Sequence, residues 1–431
     1  MLTEKILIQN FAGIREMEIE VKKINILIGP QASGKSIVAK ILYYLKGFIE
    51  NTFEQGLKIS NQNDFSQGML ESFFESRFSR YFPANSLGEK EFCIQYFIGD
   101  SLFIEIKKES KNVLYLSDFY VKIINSYKEL IDEFHKKIPN LKEPDYTLSK
   151  LSFISEAQRI LSEKILYSEE KISLFSQYFV PANRIFFAGL ESGIFSILHQ
   201  EQSIDPFLLE FAKYYSFIKP SSDIETLRKN SYYETNFLDL VSELKQRILP
   251  SEYIRLQDED FVKTSDGRQV KLSNCSSGEQ SILPLIITLE KLLTFIRSSK
   301  GLTNYIEEPE AHVFPETQRD IVDLISTIYG ASREKLQFFV TTHSPYILTA
   351  FNNLLQAGVL AQGASPETLE QIKKVVPESR FLYPGEVAAY SLSNGECVSI
   401  IDAETGLIDA EMIDSVSEDL AVQFDQLLEI D

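Results

Sequence analysis

Ile24-Asn25-Ile26-Leu27-Ile28-Gly29-Pro30-Gln31-Ala32-Ser33-Gly34-Lys35-Ser36 decides the fold. A short apolar strand runs into a glycine, and Ile37, Val38, Ile41, Leu42 and Leu45 then repeat at the spacing of one helix face. Between strand and helix, Gly29–Ser36 reads GxxxxGKS. Glycines there let backbone N–H groups turn inward around phosphate oxygens, Lys35 reaches the β and γ positions, and Ser36 is placed to ligate Mg²⁺. The dipole of the following helix adds a favourable field. Gly29, Pro30, Gln31, Ala32, Ser33, Gly34, Lys35 and Ser36 are therefore the candidate nucleotide cradle. Four specified positions coincide by chance in on the order of one chain in fifty of this length, and the flanking strand and helix lower that further.

Outward from this stretch, Lys5–Ile8 and Met17–Val21 read as strands, with Gly13 and Lys22-Lys23 at the turns. Phe92–Phe97 and Leu102–Ile106 form a hairpin pattern joined at Gly99-Asp100. Further hairpins are expected at Asp266-Gly267 and at Asn394-Gly395, the latter a type I′ signal. From Ser117 to about Leu249 the pattern is helical. Tyr120, Ile124, Tyr127, Ile131, Phe134 and Ile138 alternate four- and three-residue steps, a seam suited to a short helical hairpin. The apolar run Tyr178–Phe187, containing Pro181-Ala182-Asn183-Arg184, is expected to be a strand of the head domain. After Ser276, strand and helix alternate to about Phe351, which implies a parallel sheet.

Three more segments carry chemistry. In Ile306-Glu307-Glu308-Pro309-Glu310-Ala311-His312, Glu307 is expected to hold Mg²⁺, mostly through water. Glu308 is expected to orient and deprotonate an attacking water. The strand before them is weak, because Thr303 and Asn304 are polar. Phe338–Thr342 is an apolar strand ending at His343, where an imidazole can reach a γ-phosphate. Ser276-Ser277-Gly278-Glu279-Gln280 precedes the apolar helix Ile282–Ile296. Ser277 with Gln280 three later fits a capping box, and the same geometry lets Ser277 and Gly278 face an anion. Pro284 is expected to kink this helix or to confine its first turn.

With 431 residues the chain is long enough for more than one domain. It carries 43 Lys+Arg against 62 Asp+Glu, a formal charge of −19. Long-range repulsion from duplex DNA follows, so DNA is a partner the charge does not favour. From Ile400 to Asp431 there are many carboxylates and no Lys or Arg, which reads as a solvated face or as a dock for a basic partner. Cys93, Cys275 and Cys397 lie far apart, arguing for a reducing compartment. No signal peptide follows Met1 and no apolar run is long enough for a membrane span, so a cytoplasmic protein with no membrane partner is expected.

The order P-loop, long insertion, SSGEQ, IEEPEAH, TTHSP resembles the overcoming-lysogenization-defect-type and RecF/SMC-like ABC ATPases, in particular the AAA-type ATPases of bacterial anti-phage operons. The likeness covers residues 1–50, Pro181–Arg184 and 255–355. It implies an α/β fold, an ABC-type P-loop NTPase head with a mixed central sheet and an antiparallel β subdomain, interrupted by a helical insertion. The corresponding domains are 1–116 and 250–431 for the head and 117–249 for the insertion, with 178–187 returning to the head. It further implies a homodimer with two ATPs between protomers, in which Ser277 and Gly278 contact the γ-phosphate held by the opposite chain's Lys35. Glu279 replaces the second glycine of the commoner signature, and Glu307 the usual aspartate. By chain order, Asn183-Arg184 falls where the glutamine loop belongs. Members of the overcoming-lysogenization-defect family carry a Toprim nuclease after the ATPase, and the 88 residues after His343 are too few for one. A separate effector, nuclease or toxin, is therefore expected, with a phage-derived trigger, as in Septu-like, PARIS-like and retron-associated systems. The rival readings are a RecF/SMC-type repair ATPase acting on DNA, a transporter's nucleotide-binding subunit, and an assembly module using ATP as glue.

Overall fold

The computed structural model describes residues 3–52, 67–88, 90–100, 102–108, 112–137, 175–189, 204–219, 224–229, 232–256, 259–409, 415–428 and 430. Its first part is antiparallel. Strands β1 (Glu4–Phe11) and β2 (Ile14–Val21) form a hairpin, followed by β3 (Ile24–Ile28) and helix α1 (Lys35–Lys46). Helix α2 (Gln67–Tyr81) comes next, then β4 (Cys93–Ile98), β5 (Leu102–Lys108), β6 (Asn112–Leu116) and α3 (Asp118–Lys137). These strands make a sheet of order β2-β1-β4-β5-β6. Its register puts Ile6 against Ile19 and Tyr96, and Ile8 against Met17 and Ile94, so one face is continuously apolar.

The second sheet is built around β3. Strand β7 (Ser176–Val180) lies at one edge, and helices α4 (Pro206–Ile218) and α5 (Thr235–Ile248) follow it. A small antiparallel sheet comes from β8 (Glu252–Leu256), β9 (Glu259–Lys263) and β10 (Gln269–Lys271), with the β9–β10 turn at Asp266-Gly267. Then come α6 (Ser277–Ser298), β11 (Leu302–Glu307), α7 (Pro315–Ala331), β12 (Leu336–Thr342), α8 (Pro345–Ala361) and α9 (Pro366–Val375). The hairpin β13 (Val387–Ser393) and β14 (Glu396–Ser399) precedes α10 (Ser415–Leu428). The order β14-β13-β3-β12-β11-β7 is parallel except for β14. The fold is thus α/β with a mixed central sheet.

Alternation along the central strands makes two cores. Ile24, Ile26, Leu302, Ile306, Phe338 and Val340 face a cluster with α4 to α8. Leu27, Tyr305, Phe339, Ala388 and Tyr390 face α1 and the antiparallel sheet. Helices α4 and α5, from the region read as insertion, contribute Phe211, Tyr215, Val241 and Leu244 to the first core. Residues 138–174 and 190–203, including Ile138 of the seam, lie outside the described residues. Thr303 and Asn304 do not prevent strand formation. Both are buried, and the Thr303 hydroxyl donates to Gln337 Oε1 at 3.2 Å. Lys46, buried on α1, pairs with Glu4 of β1, which also accepts from Tyr96 and from Gln337 of β12. That cluster fastens the two sheets together.

Three expectations need correction in detail, and one strand was not foreseen. The strand expected at Tyr178–Phe187 is Ser176–Val180, because Pro181 has no N–H for the ladder and Ala182–Gly189 closes as 3₁₀ turns. Strand β6, not anticipated, has weak alternation and sits at the sheet edge. The capping serine of α6 is Ser276, not Ser277. Its hydroxyl accepts from Glu279 N–H, and the Glu279 carboxylate accepts from Ser276 N–H at 3.1 Å, while Gln280 donates to the Ser273 and Cys275 carbonyls. Nor does Pro284 confine the first turn, since α6 runs through it to Ser298. The Asn394-Gly395 turn has φ of 52° and 80°, the pair a type I′ turn requires.

Candidate nucleotide-binding and hydrolysis site

Strand β3 ends against the P-loop. Gly29, at φ 156°, packs on the Leu392 carbonyl so closely that no Cβ fits, and Gly34, at φ 102°, starts α1. Lys35 is buried. Its Nζ donates to the carbonyls of Gly29 and Pro30, both at 2.8 Å, and lies 3.4 Å from Ser33 Oγ. Burial lowers the Lys35 pKa, while Glu308 and Glu310 pull it the other way.

Parallel pairing of β11 with β12, and of β12 with β3, carries the other motifs to the same end of the sheet, at the C-terminal ends of these strands. Lys35 Nζ is 3.5 Å from His343 Nδ1, and His343 Nε2 is 3.3 Å from Glu308 Oε1. One neutral tautomer serves both contacts, with Nδ1 accepting from the ammonium and Nε2–H donating to the carboxylate. Glu310 holds the histidine in place by accepting from the His343 N–H at 2.6 Å and from the Thr342 hydroxyl at 2.8 Å. Glu308 sits at φ 43°, a left-handed conformation for a non-glycine residue, and its N–H donates to the Thr341 carbonyl at 2.9 Å. Such a backbone persists only where its surroundings impose it.

Glu307 is buried beside the P-loop. Its Oε2 accepts from Ala182 N–H at 3.2 Å, and its Oε1 has no hydrogen-bond partner. Burial raises its pKa, opposed by Lys40, by the Ser36 hydroxyl and by the Ala182 amide. An orphaned carboxylate oxygen next to a serine hydroxyl suits a hard cation. Among the described residues there is no cluster of three or more His, Cys, Asp or Glu that could hold a metal.

Ser277 is exposed at the start of α6, and Gly278 lies against the His312 carbonyl, where a Cβ would stand 2.9 Å from that oxygen. Neither hydrogen-bonds the P-loop of its own chain. Phe314 and Tyr346, at the starts of α7 and α8, are 81% and 55% exposed. The sequence did not reveal what Arg184 does. It is 0% exposed and donates to the carbonyls of Ser281 (2.9 Å), Glu307 (2.8 Å), Glu308 (3.0 Å), Pro309 and Pro181 (both 3.4 Å). Burial lowers its pKa to about 10. With its donors spent on carbonyls, Arg184 does not act as a glutamine-loop side chain reaching for phosphate, and Asn183 is exposed.

Residues 200–348 match the family described as the AAA ATPase domain. No curated protein matches the chain. Among solved structures, the SMC head domain from Thermotoga maritima is similar at 12% identity and TM-score 0.36, over 93% of this chain and 98% of that one. An SMC head bound to the C-winged helix domain of ScpA is similar at 13% identity and TM-score 0.43, with the same coverage. An SMC head with an extended coiled coil, bound to the C-terminal domain of ScpA from Pyrococcus furiosus, shows 15% and 0.40, over 97% and 99%. Likeness at this level says nothing about activity. Among the described residues, no helix is long and apolar enough to cross a membrane.

Proposed function

We propose that this chain is an ABC-type ATPase that binds ATP with Mg²⁺ between two copies of itself and hydrolyses it. The convergence of Lys35, Glu308 and His343 within 3.5 Å steps carries the reading. Gly29, Pro30, Gln31, Ala32, Ser33, Gly34 and Lys35 cradle the phosphates, while Ser36 and Glu307 would hold the cation, which would supply charge neutralisation to the phosphates. Glu308 takes a proton from water as the resulting hydroxide attacks the γ-phosphorus and the bond to ADP breaks, and His343 senses the γ-phosphate. Ser277, exposed at the start of α6, and Gly278, which make no hydrogen bond to their own P-loop, serve the partner's nucleotide. The exposed Phe314 and Tyr346 beside the site support such a second copy. Replacing Lys35 by Ala removes the only cation placed at the β/γ position by the motif, so nucleotide binding should be lost in a direct titration; wild-type affinity would sink the site.

The sequence resemblance extends the reading to anti-phage defence. The dimer regulates a separate effector, nuclease or toxin, and a phage-derived trigger acts through the region 117–249. Purified alone, with Mg²⁺ or Mn²⁺, the protein should not cleave nucleic acid, and robust cleavage by it rejects this role. A RecF/SMC-type repair ATPase would use the same site, and the charge of −19 weighs against it. Tight duplex binding at physiological salt would favour that alternative.

A further inference from the structure

We propose that Arg184 is a positioning residue that makes the two nucleotide sites of the dimer act together, by tying the segment presenting Ser277 to the loop presenting Glu308. This rests on the shared-site reading above. Arg184 Nε–H donates to the carbonyl of Ser281, one helical turn beyond Ser277, while its other nitrogens hold the carbonyls of Glu307, Glu308 and Pro309. The guanidinium is a rigid planar fork, so it sets the two segments in one mutual geometry. No solvent reaches it to take over a broken bond. A second contact runs in parallel, with Gly278 packed on the His312 carbonyl.

The two segments serve different nucleotides. In the shared arrangement, Ser277 of one protomer meets ATP bound by the partner, whereas Glu308 works on ATP bound by its own chain. Any shift of the start of α6 on meeting the partner's γ-phosphate therefore reaches the Glu308 backbone through Arg184. That backbone is poised for it, because its φ of 43° is held by its neighbours and not by its own preference. Coupling of this kind between distinct sites appears as cooperativity.

Steady-state turnover across ATP concentration, with direct nucleotide titration, tests this in wild type and Arg184→Lys. A lysine keeps the charge but cannot span both sets of carbonyls. Wild type should show a Hill coefficient above one. The variant should fall to one, with turnover lower by about 10- to 100-fold, as for a misplaced catalytic group, and nucleotide affinity unchanged. A wild-type Hill coefficient of one, or a variant as cooperative as wild type, overturns the proposal. A second measurement needs no change at Arg184. In a heterodimer with one isotopically labelled Lys35→Ala protomer, a non-hydrolysable ATP analogue is held only by the intact chain's P-loop. Amide exchange of 307–312 in the labelled protomer should slow nonetheless, and no slowing there also overturns it. Wild-type protein that binds no nucleotide rejects the functional reading itself, a result distinct from bound nucleotide without coupling.

Discussion

Glu307 is buried with one carboxylate oxygen unpartnered, whereas its neighbour Glu308 is partly exposed and in reach of His343. The two should respond differently to the same change. Glu308→Gln keeps the shape but removes the base, so turnover should drop by ~100-fold or more while ATP binding persists. Glu307→Gln should weaken Mg²⁺-dependent binding. It should also raise the melting temperature of the nucleotide-free protein, because leaving one oxygen of a buried carboxylate without a partner costs roughly 1–3 kcal/mol. The pH dependence follows from the direction of the shift. The folded-state pKa of Glu307 lies above its ordinary 4.5, so the stability tied to its protonated form is complete below 4.5 and is lost as pH rises through the folded value. The stabilising effect of Glu307→Gln should therefore be present at neutral pH and vanish below about 4.5. Equal melting curves at pH 7, or identical turnover and binding in the two variants, would remove the division of roles.

Helix α6 shows how elements were and were not legible. Its existence followed from apolar spacing, but Ser276/Glu279 and Ser277/Gln280 fit a capping box equally well as letters. The backbone chose the first pair, which frees the Ser277 hydroxyl. Ser276→Ala should accordingly cost about 1 kcal/mol in a denaturant titration, and Ser277→Ala much less. A larger loss at Ser277 would show that the cap has been misplaced. The P-loop, β12 and the two-residue hairpin were readable because local chemistry dictates each of them. Strand β7 was readable only as an apolar run, since Phe179, Val180 and Phe187 are all buried and hydrophobicity does not mark where extended chain gives way to 3₁₀ turns. Arg184 left no trace of its role, because a fully buried arginine depends on carbonyls of Ser281 and Glu307–Pro309, about 100 or more residues away in sequence.

At the scale of the dimer, mixing Lys35→Ala protomers with Ser277→Arg protomers leaves one intact composite site per heterodimer. ATPase activity should partly return on mixing, and its absence in proven heterodimers would exclude a shared site. The central sheet has a further implication. Strand β3 lies between β12 and β13, so Ile24 is flanked by Phe338 and Val387. Its partners therefore follow it by 338 − 24 = 314 and 387 − 24 = 363 residues. At a translation rate of about 5–20 residues per second, the strand that feeds the P-loop waits on the order of a minute for its second neighbour. The antiparallel sheet, complete by Leu116, can form meanwhile and shelter the Leu27 side of that strand, while Ile24 and Ile26 stay uncovered until the helices that pack on their face are made. A ribosome-bound nascent chain ending before Val387 should thus be a client for chaperones and unable to retain nucleotide, which ties the birth of the ATP site to the emergence of β13.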